Sequence, residues 1–179
     1  MTNEQLFALL RPIVISATGL AKCELANQGN LQGYVAPSGE YCTIWPRQSV
    51  VERGQANVKR RDIPGELIES EVRAQVIATC SVNFYRGRAH EFAEKLKQCN
   101  KHPNIQVALY KAKLGWMGTD AVNDLTALQS ANWENRAQIT IRLAYEVTTL
   151  TEFNNILSVA VEVQNEDAEV LAEFDVPQA

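Results

Sequence analysis

The chain has 179 residues, of which 46% are hydrophobic and 21% charged, enough to bury one core and short for two domains. A formal net charge of −4 argues against a protein that coats nucleic acid over its whole surface. No apolar run approaches the roughly 18 residues of a membrane span, and the N-terminal MTNEQLFALLRPIV lacks the basic start and small-residue cleavage site of a signal peptide, which points to synthesis in the cytosol.

Thr2-Asn3-Glu4-Gln5 fits a capping box, in which the Thr2 hydroxyl and the Gln5 amide satisfy free backbone N–H groups; Leu6, Leu9, Leu10 and Ile13 then form an apolar stripe. A first helix starts here. Pro12 cannot donate to the carbonyl one turn back, so the helix is expected to kink or restart there and to end at Thr18-Gly19. From Asn27 to Glu40 the composition turns to Gly, Asn, Gln, Pro and Ser, a surface loop. Tyr41 to Trp45 predicts a strand that Pro46 confines to an edge or closes, with Trp45 either a core anchor or an edge contact.

The one basic cluster comes next: Arg47, Arg53, Lys59, Arg60 and Arg61, opposed within that span by Glu52 alone and followed by a turn through Asp62-Ile63-Pro64-Gly65. It reads either as a solvated hairpin tip or loop, or as a contact with phosphate or an acidic protein surface. No aromatics are interleaved with these charges, which weakens a single-strand binding role. Glu66, Glu69 and Glu71 beside the turn have no histidine near them, and structural charge is their expected role.

From Val72 to Phe84 the even positions are Val72, Ala74, Val76, Ala78, Cys80, Val82 and Phe84, and the odd ones are mostly polar, the period of a half-buried strand. Tyr85-Arg86-Gly87 breaks it. Ala89, Phe92, Ala93, Leu96 and Cys99 then line one helix face, closed by Asn100 and Pro103. The two apolar faces need each other, so the helix is expected to lie across the sheet.

The four cysteines, at 23, 42, 80 and 99, have no C-x-x-C spacing and read as reduced. Cys99 with His102 and His90 supplies only half a zinc ligand set, and no metal or cofactor site is expected. There is no G-x-G-x-x-G or G-K-[ST] for a nucleotide, and for an enzyme only Cys99 with His102, or the Glu66 to Glu71 carboxylates, offer a start.

Ile105 to Tyr110 alternates like a short strand, and the glycines of Leu114-Gly115-Trp116-Met117-Gly118 suit bends around Trp116. Ala121 to Leu128 is ambiguous between strand and helical turn, with strand preferred. Trp133 to Val147 is the longest clean alternation and belongs beside the Val72 to Phe84 strand. Leu157, Val159, Val161 and Val163 alternate again, and past a turn at Gln164 to Asp167 the residues Val170, Ala172 and Phe174 suit the return strand of a hairpin. From Glu162 to the end there are six acidic residues and no basic one. The candidates Glu166, Asp167, Glu169, Glu173 and Asp175 form either a solvated tail or a docking surface for a basic region such as Arg47 to Arg61 of a neighbouring copy.

The order of these elements, with Trp133-Glu134-Asn135-Arg136-Ala137 opening the late alternating strand, resembles the bacteriophage neck or tail terminator family over about residues 5 to 163. The resemblance implies a structural virion protein without catalytic residues, a hexameric ring at the head–tail interface, portal or adaptor and tail proteins as partners, and a central channel for genomic DNA. Trp133, Glu134 and Arg136 match the family pattern and are expected to fix their strand, with Arg136 reaching an acidic partner. The sequence thus predicts one α+β domain over residues 1–163: a mixed, mostly antiparallel sheet with an N-terminal helix and one central amphipathic helix packed on it. Residues 47–66 form a basic loop or hairpin extension and 164–179 an acidic hairpin or tail. The rival reading is a monomeric nucleic-acid-binding module using the Arg47 to Arg61 cluster.

Overall fold

A computed structural model describes residues 1–27, 36–64, 67–129, 132–156, 158–164 and 170–177. Most of the loop between Asn27 and Glu40, the Gly65-Glu66 step, Leu157 and the turn before Val170 lie outside the described residues. The chain forms two compact units, Met1–Gln55 with Ala74–Val147, and Ala56–Arg73 with Thr148–Ala179.

The first unit opens with α1 (Asn3–Thr18), capped as the sequence predicts: the Gln5 N–H donates to the Thr2 hydroxyl and the Thr2 N–H to the Gln5 side chain, at 3.2 and 2.8 Å. The helix runs through Pro12 without restarting. Pro12 and Ala8 are both exposed, so the carbonyl deprived of its partner can be met by water. Gly19, at φ 78°, ends the helix and donates its N–H to the Ile15 carbonyl at 2.8 Å.

The sheet of this unit has the order β1 (Cys23–Leu25), β2 (Tyr41–Glu52), β4 (Leu67–Tyr85), β9 (Arg136–Asn154) and β5 (Gly115–Thr119), with β6 (Asn123–Asp124) also paired to β9. β1 runs parallel to β2, whereas β2 pairs antiparallel with β4 and β5 with β9. Alternation decides what is buried. Val76, Ala78, Cys80, Val82 and Phe84 of β4 and Ala137, Ile139, Ile141, Leu143 and Tyr145 of β9 join one core. That core is completed by Leu6, Leu10, Ile13 and Val14 of α1 and by Ala89, Phe92, Ala93 and Leu96 of α2 (Ala89–Gln98). The mixed α+β architecture with α1 and α2 against the sheet is the one the patterns predict.

A third helix, α3 (Pro103–Lys111), stands where a strand was expected over Ile105 to Tyr110. Pro103 at its start has a fixed backbone angle suited to a first helical turn. The buried pair is Ile105 and Leu109, four residues apart, while Val107, which completed the apparent alternation, is 51% exposed. The segment before the late strand is a small antiparallel ribbon, β7 (Ala127–Gln129) with β8 (Asn132–Glu134). Trp133 therefore sits on β8 and not on the long strand, which begins only after Asn135 and continues seven residues beyond Val147, to Asn154.

The second unit consists of β-structure. β3 (Asn57–Ile63) pairs antiparallel with the first part of β4, from Asn57↔Arg73 to Ile63↔Leu67. The end of β9 from Thr148 belongs here, as does the hairpin of β10 (Ser158–Gln164) and β11 (Val170–Pro177), paired from Ser158↔Pro177 to Gln164↔Val170. Among the described residues of this unit, Ser70 alone is buried.

Candidate functional site

The two faces of the first unit's sheet differ. One carries the core; the other carries Tyr41, Thr43, Ser81, Asn83, Tyr85, Arg136 and Gln138, tied together by polar and ring contacts. The Tyr41 and Tyr85 rings stack with centroids 4.5 Å apart, the Arg86 guanidinium lies 5.6 Å from the Tyr41 centroid and that of Arg136 lies 4.8 Å from the Tyr85 centroid. Gln138 donates to the Ser81 hydroxyl at 2.8 Å. Burial raises the Tyr41 phenol above its ordinary pKa, the neighbouring Tyr85 adding to the effect.

The Trp133-to-Ala137 motif lies at the edge of this cluster. Glu134 accepts from Arg86 Nε at 3.1 Å, and Arg86 Nη1 donates to the Pro37 carbonyl at 2.6 Å. Asn135, the variable position of the motif, does more than its neighbours to hold the chain: its carbonyl accepts the Arg86 N–H at 2.7 Å and its amide donates to the Gly87 carbonyl at 3.0 Å. Within the chain Arg136 lies over the Tyr85 ring and meets the Tyr85 hydroxyl at 3.5 Å. Trp133 is 72% exposed, with Leu128, 59% exposed, as its cross-strand partner. Sequence pattern did not single out Arg86, which looked like a mere break in alternation; its left-handed φ of 66°, followed by Gly87 at 46°, is what turns β4 into α2.

The basic cluster is divided. Arg47 and Arg53 belong to the first unit and Lys59, Arg60 and Arg61 to the second. Arg47 is half-buried and donates to the Met1 carbonyl at 2.8 Å. Arg53 is exposed. On β3 the three residues alternate, so Lys59 and Arg61 share one face, opposite Glu71 and Glu69, and Arg60 lies on the other, opposite Ser70. Arg61 Nε donates to Glu69 at 2.6 Å, Glu71 is held by Arg73 at 2.7 Å, and Arg60 lies 6.0 Å from the Phe153 ring centroid. Charges counted along the chain therefore overstate the positive field, because Glu69 on the adjacent strand pairs with Arg61.

Of the acidic candidates, Glu166, Asp167 and Glu169 lie outside the described residues, and Asp175 stands opposite Ala160 in the β10–β11 register. Glu173 is exposed and directly opposite Glu162. Two like charges in that relation repel.

A hollow of about 720 Å3 over α2 is lined by His90, Glu94, Lys97, Gln98, Lys101, Thr119, Ala121 and Val122. Cys99 is fully buried and burial pushes its thiol up to about 12. Among the described residues no three His, Cys, Asp or Glu side chains come together as metal ligands.

Helices pack on one face of a mixed sheet, and the accessory β-unit has no buried apolar side chain among its described residues. The chain matches the family model described as phage neck terminator protein over residues 4–169, and it belongs to that family. It is thus a structural protein of the phage neck, where head and tail meet. No curated protein matches the chain. Among the described residues no helix is long and apolar enough to cross a membrane.

Proposed function

We propose that the chain works as a hexameric ring in the neck, joining or terminating the tail at the head and leaving a central channel through which genomic DNA passes. Its partners in this reading are further copies of itself, the portal or adaptor on one side and tail proteins on the other. The observation that carries it is the character of the second unit. Val58, Leu150, Ile156, Val161, Val163, Val170 and Phe174 are between 42% and 70% exposed there, whereas all the buried hydrophobic side chains of the core cluster lie in the first unit. A β-ribbon with its apolar side chains in water gains little from folding alone, and contact with other chains supplies the missing burial.

The experiment is the solution mass of the purified chain by light scattering across a concentration series, with negative-stain imaging of the large species. Open-centred rings of six copies are expected. A chain that remains monomeric at every concentration, and also when mixed with purified tail tubes, rules the ring out.

A further inference from the structure

We infer that the ring, if that reading is right, is closed by β-strand addition: the outer edge of β11 in one copy pairs with the outer edge of β3 in the next. Both strands are edges. Among the described residues β3 is paired to β4 alone and β11 to β10 alone, so each presents a row of backbone donors and acceptors without a strand partner. Their alternation is complementary on both faces at once. β3 has Lys59 and Arg61 on one face and Val58 and Arg60 on the other; β11 has Glu173 and Asp175 at one set of alternate positions and Ala172 and Phe174 at the other.

Pairing with the acidic positions beside the basic ones brings Phe174 alongside Val58 and Arg60. Arg60 already rests near the Phe153 ring in its own copy, so a second aromatic edge meets a surface of the same kind. A slip of one residue would leave one acid opposite Arg60 but set the other against Val58 and the phenyl ring against Lys59, so the register that pairs both acids with basic residues is favoured. The contact also answers two local tensions: Lys59 faces a Glu71 held by Arg73, and Glu173 faces Glu162. The interface is head-to-tail, each copy giving a β11 edge and receiving one on β3, the kind of interface that makes a ring when the rotation between copies closes.

Two reversed chains test this. One carries Glu173→Lys and Asp175→Lys, the other Lys59→Glu and Arg61→Glu. Each alone is expected to need about tenfold or more higher concentration to assemble, and an equimolar mixture, in which opposite edges alternate, to regain wild-type assembly. Because the second chain also opposes Glu69 and Glu71 and could misfold, a parallel measurement uses the unaltered protein: carbodiimide coupling of a mixture of nitrogen-14 and nitrogen-15 copies. Peptides joining Lys59 of one isotope to Glu173 or Asp175 of the other support the pairing. Rings that form from both reversed chains unaided, or Lys59 coupled only within its own copy, overturn strand addition while leaving the ring intact. Absence of rings from the wild-type chain overturns both.

Discussion

Tyr41 of β2 and Tyr85 of β4 are register partners whose rings stack face to face, with planes 7° apart, and each ring carries an arginine on its flank, Arg86 on Tyr41 and Arg136 on Tyr85. Tyr41 is 7% exposed, so its ring combines area burial with the stacking contact. Tyr41→Ala is expected to cost about 3 kcal/mol. A double-mutant cycle of Tyr41→Leu and Tyr85→Leu is expected to return a coupling of about 1 kcal/mol. Urea denaturation measures both, and additive single effects would show that the stack contributes nothing of its own.

Trp133 behaves oppositely. With most of its indole in water, Trp133→Ala is expected to move stability by no more than about 0.5 kcal/mol, whereas Leu143→Ala in the neighbouring strand costs about 3 kcal/mol. The indole should also be readily quenched by iodide in the isolated subunit. A denaturation midpoint lowered as far as by Leu143→Ala contradicts the exposed placement.

The buried thiols set an alkaline limit. Burial raises Cys80 and Cys99 to about 12 from an ordinary value of 9.0. Cys42 is also raised, by its contact with the Cys23 sulfur and by burial. Below about pH 9 these thiols are neutral folded or unfolded and cost nothing; from there to about pH 12 the unfolded chain alone loses the protons, so stability falls by about 1.4 kcal/mol per pH unit for each thiol. Native protein at pH 8 should therefore leave Cys42, Cys80 and Cys99 unreacted with a disulfide reagent, and denaturant should expose all four cysteines. Rapid labelling of Cys80 without denaturant contradicts its burial.

Gly87 has a left-handed φ of 46°, and a side-chain carbon there would overlap the Glu40 carboxylate that receives the Arg88 N–H at 3.0 Å. Gly87→Ala is expected to cost about 1 to 2 kcal/mol from backbone strain. The Arg88 side chain, and then its N–H, hold Glu40 below the ordinary carboxylate value of 4.5. That contribution is present above pH 4.5 and is lost as pH falls through the lowered folded value. Displacing Glu40 should thus flatten the acid limb of the stability curve, and an acid limb identical to wild type would show that Glu40 keeps its partner.

Where the sequence carried a local signal, the reading was largely accurate: Thr2 and Gln5 cap α1, and the even residues of β4 from Val76 to Phe84 and one face of α2 form the core, while Val72 and Ala74 stay outside it. Alternation misled at Ile105, Val107 and Leu109, because five residues satisfy a strand and a helical turn alike and Pro103 decides between them. It misled again at Trp133, where two strands separated by Asn135 share one parity. The basic cluster was legible as composition but not as a field: Glu69 pairs with Arg61 through a hairpin register that spacing along the chain does not reveal. The contact of Arg86 with Glu134 was hidden for the same reason, being long-range in sequence.

The one-sided core also governs how such a chain can change over generations. On β4 the residues Val76, Ala78, Val82 and Phe84 are locked by neighbours inside the same molecule, whereas Thr79 and Asn83 between them, and Thr140 and Arg142 on β9, face away from that core and stay at least partly accessible. Substitutions at the second set are expected to disturb folding less than those at the first. The outer face can therefore change one residue at a time while the interior beneath it stays the same.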